Sequence, residues 1–156
     1  MELDDLFDFG IDLNMLYGRF DHSLDSKGRV IIPARFRSCL GEVVFVTMGF
    51  ETKCLNIFSV EEFKKRIASL RGIPASDAAG QKFIRYFVGN AEPCQVDKQG
   101  KILIPAHLRE AAQLDKEVTL SGQMDRVEIW NRELWNVTSG YETTEELTAS
   151  VEKYGF

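Results

Sequence analysis

The stretch LDSKGRVIIPARFR at residues 24–37 returns as VDKQGKILIPAHLR at 96–109, an offset of 72. Six of the 14 positions are identical: Asp25/Asp97, Gly28/Gly100, Ile32/Ile104, Pro33/Pro105, Ala34/Ala106 and Arg37/Arg109. Random pairing at ordinary composition would give about one. Five more pairs are conservative, among them Arg29/Lys101 and Phe36/Leu108. The same offset continues in Leu55/Val127, Ile57/Ile129, Phe58/Trp130 and Phe63/Trp135. The chain carries a duplicated module, and the fold has to be read from it.

Each copy has the same local physics. Phe20, His22 and Leu24 alternate with Asp21, Ser23 and Asp25, the period of a half-buried strand. The turn DSKG follows. Its aspartate can accept the backbone N–H two residues on, and its glycine tolerates positive φ. Val30-Ile31-Ile32 is then a short strand too apolar to be left exposed. Pro33 stops it and suits the start of a short helix over 34–39. Strands at 43–47 and 55–58 complete the first copy, with counterparts at 117–121 and 127–130. The loops joining each pair contain Gly49 and Gly122.

Helices follow each copy. Ser59 and Glu62 form a capping box ahead of Val60, Phe63, Ile67 and Leu70 at helical spacing, and Gly72 and Pro74 end the run. A second helix runs from Asp77 to Val88, with Phe83/Phe87 and Ile84/Val88 as i,i+4 pairs. Asn131 caps a helix carrying Leu134 and Trp135. Thr143 and Glu146 form another capping box before Leu147, Val151 and Tyr154. The apolar faces of the first two helices read as intramolecular core, and Lys64, Lys65, Arg66 and Arg71 as a solvated basic face. A module of roughly 45 residues has too little core alone, so two copies should pair about a pseudo-twofold axis and share one. The expected organisation is an acidic leader at 1–14 outside the fold, a module at 19–64, linking helices at 65–90, a module at 93–136 and a C-terminal helix at 137–156.

The net charge of −5 in 156 residues, taken whole, discourages a polyanionic partner, but it is unevenly placed. Residues 1–14 hold five of the 24 acidic residues and none of the 19 basic ones, so the remainder is neutral. Met15 offers a second start. Within the neutral body both repeats gather cations beside the same turn. Lys27, Arg29, Arg35 and Arg37 outnumber Asp21 and Asp25 in the first; Lys98, Lys101 and Arg109 outnumber Glu92 and Asp97 in the second. An Asp25–Arg29 pair inside a hairpin explains the aspartate and glycine without a ligand. It explains the surrounding cations less well.

The doubled motif, GRFDHSLDSKGRVIIPARFR followed by the degenerate QVDKQGKILIPAHLR, resembles the MraZ family, regulators built from two SpoVT/AbrB-type modules. The resemblance covers residues 15–156. It implies an α+β fold: a duplicated AbrB-like swapped-hairpin β-barrel with flanking helices. It also implies ring-shaped homo-oligomers that bind double-stranded DNA at tandem repeats upstream of the division and cell-wall gene cluster, in the cytoplasm at the nucleoid. In the family the aspartate-to-arginine motif marks the DNA-contacting surface. Here it falls on Asp25 and Arg29 in full, and on Asp97 with Lys101 in place of arginine. With the neighbouring cations, the expected DNA-binding set is Asp25, Lys27, Arg29, Arg35, Arg37, Asp97, Lys98, Lys101 and Arg109. A guanidinium grips both acceptors of guanine, whereas an ammonium is a point charge. Arg29 is therefore expected to read bases and Lys101 to hold phosphate.

Other chemistries have weaker footing. Asp25 and Asp97 could pair as hydrolase carboxylates, yet both lie in turns beside cations. Cys39, Cys54, Cys94, His22 and His107 show no metal-ligand spacing, so no metal is expected. Three cysteines at irregular spacing argue against a disulfide framework and for a reducing compartment. No Walker loop, GxGxxG or GxSxG occurs, so no cofactor or small-molecule substrate is expected, and no enzyme. No apolar run approaches membrane-spanning length. The alternatives are an AbrB-like antitoxin, which usually appends a disordered toxin-binding tail where this C-terminus reads as an amphipathic helix, and a purely structural ring-forming protein.

Overall fold

A computed structural model of the chain describes residues 14–50, 53–138 and 144–156. The expected leader and Thr143 of the second capping box therefore lie outside the described residues, apart from Asn14. The first module runs β1 (Arg19–Ser23), β2 (Arg29–Ile31), α1 (Ala34–Leu40), β3 (Val43–Met48) and β4 (Cys54–Ser59). Two helices follow, α2 (Val60–Leu70) and α3 (Ala78–Phe87). The second module repeats the order: β5 (Glu92–Gln95), β6 (Lys101–Leu103), α4 (Ala106–Ala111), β7 (Glu117–Gly122) and β8 (Val127–Asn131). Helices α5 (Arg132–Thr138) and α6 (Thr144–Lys153) come last. The caps at Ser59 and Asn131 are those expected, whereas Asp77, expected as the first helical residue, stands just ahead of its helix as the cap. Ser59 accepts from the Glu62 N–H, Asp77 from Gly80, and Asn131 from Glu133 and Leu134. Pro33 and Pro105 sit just ahead of α1 and α4, and their carbonyls accept the first helical N–H groups.

The strands pair across the modules. A six-stranded antiparallel sheet has the order β1-β7-β8-β4-β3-β5, and β2 pairs with β6 in a sheet of two. Exchanging equivalent strands of the two modules turns the long order into itself reversed. That is the signature of the pseudo-twofold axis, which passes between β4 and β8 and between β2 and β6. The first strand of each module lies on the third strand of the other: Phe20 opposite Leu120 in one half, Phe45 opposite Pro93 in the other. Among the described residues β1 and β5 end the long sheet, and β2 and β6 join neither end. The closed barrel expected from the family resemblance is thus not seen; the ladders form two separate antiparallel sheets within an α+β fold. Pro33 and Pro105 end β2 and β6 soon after three residues, and these strands pair with each other rather than with either end of the long sheet.

Alternation along the strands sets three layers. Leu55, Ile57, Val118, Leu120, Val127 and Ile129 face a central core with Val30 and Ile102 from the ribbon and Phe36 and Leu108 from α1 and α4. Both modules contribute to this one core. On the other face of the sheet, Phe58 packs with Phe63 of α2 and Phe87 of α3, while Trp130 packs with Trp135 of α5. Burying side chains of this size contributes roughly 1.5–3 kcal/mol each, so the shared core is the main reason two small modules hold together.

The turns cross the axis as well. Gly28 and Gly100 have φ of +85° and +81°, in the left-handed region, and each donates its N–H to the aspartate carbonyl three residues back. A Cβ at Gly28 would lie 2.6 Å from Cζ of Arg109, and one at Gly100 would strike Arg37. Each α1- or α4-borne arginine therefore lies against the other module's turn. The left-handed backbone alone costs a non-glycine residue roughly 1–2 kcal/mol. Gly28→Ala should lose at least that in denaturant unfolding, and part of the loss should be recovered on Arg109→Ala but not on Arg37→Ala. Equal recovery from both arginines would contradict the crossed arrangement.

Candidate nucleic-acid interface

The two turns are built alike. Oδ1 of Asp25 accepts the backbone N–H groups of Lys27 and Arg29, both at 2.9 Å, and Oδ2 accepts Nε of Arg29 at 2.8 Å. Oδ1 of Asp97 accepts from the backbone of Gln99 at 2.8 Å and of Lys101 at 2.9 Å. The departure from arginine to lysine shows directly. Arg29 is clamped to its aspartate, whereas Lys101 forms no ion pair among the described residues. The Arg29 backbone N–H, aided by its guanidinium and the Lys27 N–H against a desolvation cost, holds the Asp25 carboxyl down at about 2. Asp97 is also lowered, first by the Lys101 N–H, then by the Gln99 N–H and by the charges of Arg29 and Lys101. That Arg29 acts on the other module's aspartate reflects how close the turns lie.

The register of β2 with β6 decides which way the cations point. Arg29 lies opposite Leu103, Val30 opposite Ile102 and Ile31 opposite Lys101. Directly opposed residues of an antiparallel pair share a face. Val30 and Ile102 are buried in the core, so Arg29, Ile31, Lys101 and Leu103 all take the outward face. Arg29 and Lys101 are diagonal neighbours on it, roughly 7–8 Å apart. The structure thus brings the two motif cations together on the side away from the core, with Arg29 about one-third exposed (36%).

The family model described as "MraZ protein, putative antitoxin-like" matches this chain twice, at residues 15–85 and 87–153. The chain belongs to the MraZ family. A "Transcriptional regulator MraZ" of Thermoanaerobacter sp. (strain X514) is 47% identical over 121 residues, which are 78% of this chain and 84% of that protein. One of Acetivibrio thermocellus is 46% identical over 128 residues, covering 82% and 89%. One of Halothermothrix orenii is 40% identical over 143 residues, covering 90% and 99%.

Within this MraZ-family chain the other expected residues fall into groups. Lys27 and Lys98 are exposed at the two turn tips. Arg37 and Arg109 are half-buried against the opposite glycines, and Nε of Arg109 donates to the Ile104 carbonyl at 2.9 Å. They buttress the turns from beneath. Arg35 stacks over Tyr17 and Phe20, its Cζ 4.7 and 5.3 Å from their ring centroids. It points toward β1 rather than toward the ribbon's outward face. The carboxylates read as a hydrolytic pair are each consumed by their own turn. Cys54 is buried in a different apolar cluster from Cys94, while Cys39 on α1 packs against the Cys94 cluster.

Two readings of the sequence need correction. The segment Val30-Ile31-Ile32 is not uniformly buried, because a strand lining one core must turn alternate residues outward; Ile31 is half-exposed, and its counterpart Leu103 is 52% exposed. Arg66 does not belong to a solvated basic face. It bonds Glu62 at 3.2 Å, pairs with Asp125 of the β7–β8 hairpin and lies over the rings of Phe50 and Phe58. Helical spacing could not reveal a carboxylate supplied from 59 residues away.

A carboxyl whose folded value lies below the ordinary one of about 3.9 keeps its stabilising effect above that range and loses it as pH falls through its folded value. Asp25 should therefore hold its turn down to about pH 2. Carboxyl NMR titration of Arg29→Ala should find the Asp25 midpoint raised yet still below the ordinary value, since both backbone N–H donors remain. A wild-type midpoint in the ordinary carboxylate range would contradict the geometry.

Proposed function

We propose that the chain is a sequence-specific DNA-binding transcriptional regulator, not an enzyme, and that the β2–β6 ribbon is its reading surface. The observation that carries this is the shared outward face of Arg29 and Lys101, one cation from each module. A two-stranded β-ribbon fits the roughly 12 Å width of a DNA major groove. Among the described residues Asp25 takes Nε of Arg29 and no hydrogen bond holds the two Nη groups, which leaves those donors for an external partner. A guanidinium so held suits the paired acceptors of guanine. The unclamped Lys101 suits a phosphate, and the tip residues Lys27 and Lys98 extend the positive surface. Asp25 and Asp97 position the turns, and Arg37 and Arg109 support them from beneath. Arg35 belongs to the set only as a flank.

The family membership and the relatives' printed name, "Transcriptional regulator MraZ", support the regulatory reading. By the same family resemblance, we take the sites to be tandem repeats upstream of the chain's own division and cell-wall operon, read by a ring-shaped homo-oligomer at the nucleoid. The crossed strand pairing supports a swapped-hairpin, AbrB-like arrangement with modules at 19–64 and 93–136, linking helices at 65–90 and a C-terminal helix at 137–156. Helix α6 buries none of its residues, and Leu147 and Val151 on it and Tyr154 just after it are exposed, which supports contact with another chain. Few cations per chain then suffice, because subunits on adjacent repeats multiply weak contacts. No helix among the described residues is long and apolar enough to cross a membrane. The "antitoxin-like" wording of the family description favours a second reading, an antitoxin that binds a toxin and its own promoter. There α6 would contact the toxin, and the purified chain alone would stay monomeric.

Arg29→Ala should cost discrimination between the upstream DNA and a scrambled fragment by about 5- to 150-fold per site, the equivalent of roughly 1–3 kcal/mol. Lys101→Ala should weaken both fragments alike and lower the log–log salt slope by about 0.9 per lost phosphate contact. Equal loss of discrimination from the two variants, measured by anisotropy across a salt series, would overturn the division of roles.

A further inference from the structure

The outward face of the ribbon holds four side chains, and only two are cations. Each module supplies a cation and, two residues on, an aliphatic residue: Arg29 and Ile31 from one, Lys101 and Leu103 from the other. The antiparallel register sets each cation opposite the other module's aliphatic residue, giving a tile with charges on one diagonal and hydrocarbon on the other. Leu103 is 52% exposed, on a strand whose inward neighbours Ile102 and Ile104 are fully buried. The fold does not need a leucine there for its core.

We infer that Leu103, with Ile31 beside it, is a specificity-determining contact that recognises thymine through its C5-methyl group. This rests on the ribbon being the DNA-reading surface. The thymine methyl is the one apolar group that a base edge presents, and it projects only into the major groove. Leu103 stands directly across from Arg29, with Cβ atoms roughly 5 Å apart. Successive base pairs rise about 3.4 Å, so when Arg29 engages a guanine, Leu103 meets a neighbouring base pair. The aliphatic diagonal then supplies discrimination that two cations alone lack: Arg29 selects guanine and Leu103 selects thymine over cytosine next to it. The minor groove, roughly 6 Å wide and lacking the methyl, offers neither contact.

The test removes the methyl from the DNA and the side chain from the protein separately. A fragment from upstream of the gene is synthesised with dTTP or with dUTP, which deletes every C5-methyl and leaves the hydrogen-bonding edges intact. Binding of the full chain is measured on both, alongside Leu103→Ala and Leu103→Met. The wild type should lose about fourfold for each methyl covered, and more where several subunits share one fragment. Leu103→Ala should bind the two fragments with a ratio much closer to one, and Leu103→Met, which keeps the hydrocarbon, should restore most of the preference. An unchanged thymine-to-uracil ratio in Leu103→Ala, with salt-dependent binding that still requires Arg29, would overturn the inference and leave the ribbon reading standing. A Leu103→Ala chain whose oligomeric mass changes would also overturn it, since Leu103 would then serve contacts between copies. Absence of any preference for upstream over scrambled DNA in the wild type would bring down the ribbon reading, and this inference with it.

Discussion

The pairing of β2 with β6 is the constraint on which the rest of the structure depends. It joins two short strands, of three residues each, that would have no partner in their own modules. The N–H groups of Ile32 and Ile104 extend the ladder by donating to the carbonyls of Gly100 and Gly28. Once this pairing is made, Val30 and Ile102 are committed to one core and the residues either side of them to the opposite surface. A slip of one residue would exchange the two sets, burying Arg29 and Lys101 and exposing the valine and isoleucine. The hydrophobic demand of the core is therefore what aims the cations outward. The proposed function follows from register.

The same crossing explains why the repeat keeps certain residues as a set. Gly28 and Arg37 lie in one copy, Gly100 and Arg109 in the other, and the contacts run between copies rather than within them. A duplicated module paired about a twofold must satisfy both ends of each contact with one motif. Asp25 and Asp97 need only their own turns, yet they set where the crossing begins. Arginine at 29 and lysine at 101 break the symmetry at the surface, as Phe36/Leu108 and Phe58/Trp130 do in the core, so the two modules share one backbone plan while the two halves of the proposed reading face differ in chemistry.

Much of this was legible in the sequence because it is local or periodic. The turn DSKG, the capping residues Ser59 and Asn131, and the helical stripe of Phe63, Ile67 and Leu70 each declare themselves within a few residues. The repeat itself announced a shared core. What could not be read was anything that depends on which strand meets which. The open sheets in place of a barrel, the placement of Arg37 beneath the second turn and Arg109 beneath the first, and the Asp125 partner of Arg66 all join residues far apart in the chain. Leu103 is hidden for another reason. Three consecutive apolar residues suggest full burial, and only the register reveals that the middle one of Val30-Ile31-Ile32, and Leu103 likewise, faces out.

The central claim is that one continuous face, made equally by both modules, meets the DNA. Hydrogen exchange of the full chain, with and without the upstream fragment, addresses it most directly. The account predicts that bound DNA slows exchange in both the 25–33 and the 97–105 segments, with the α2 and α3 segments unchanged. Slowing confined to one of the two segments, or centred on α2 and α3, would contradict it.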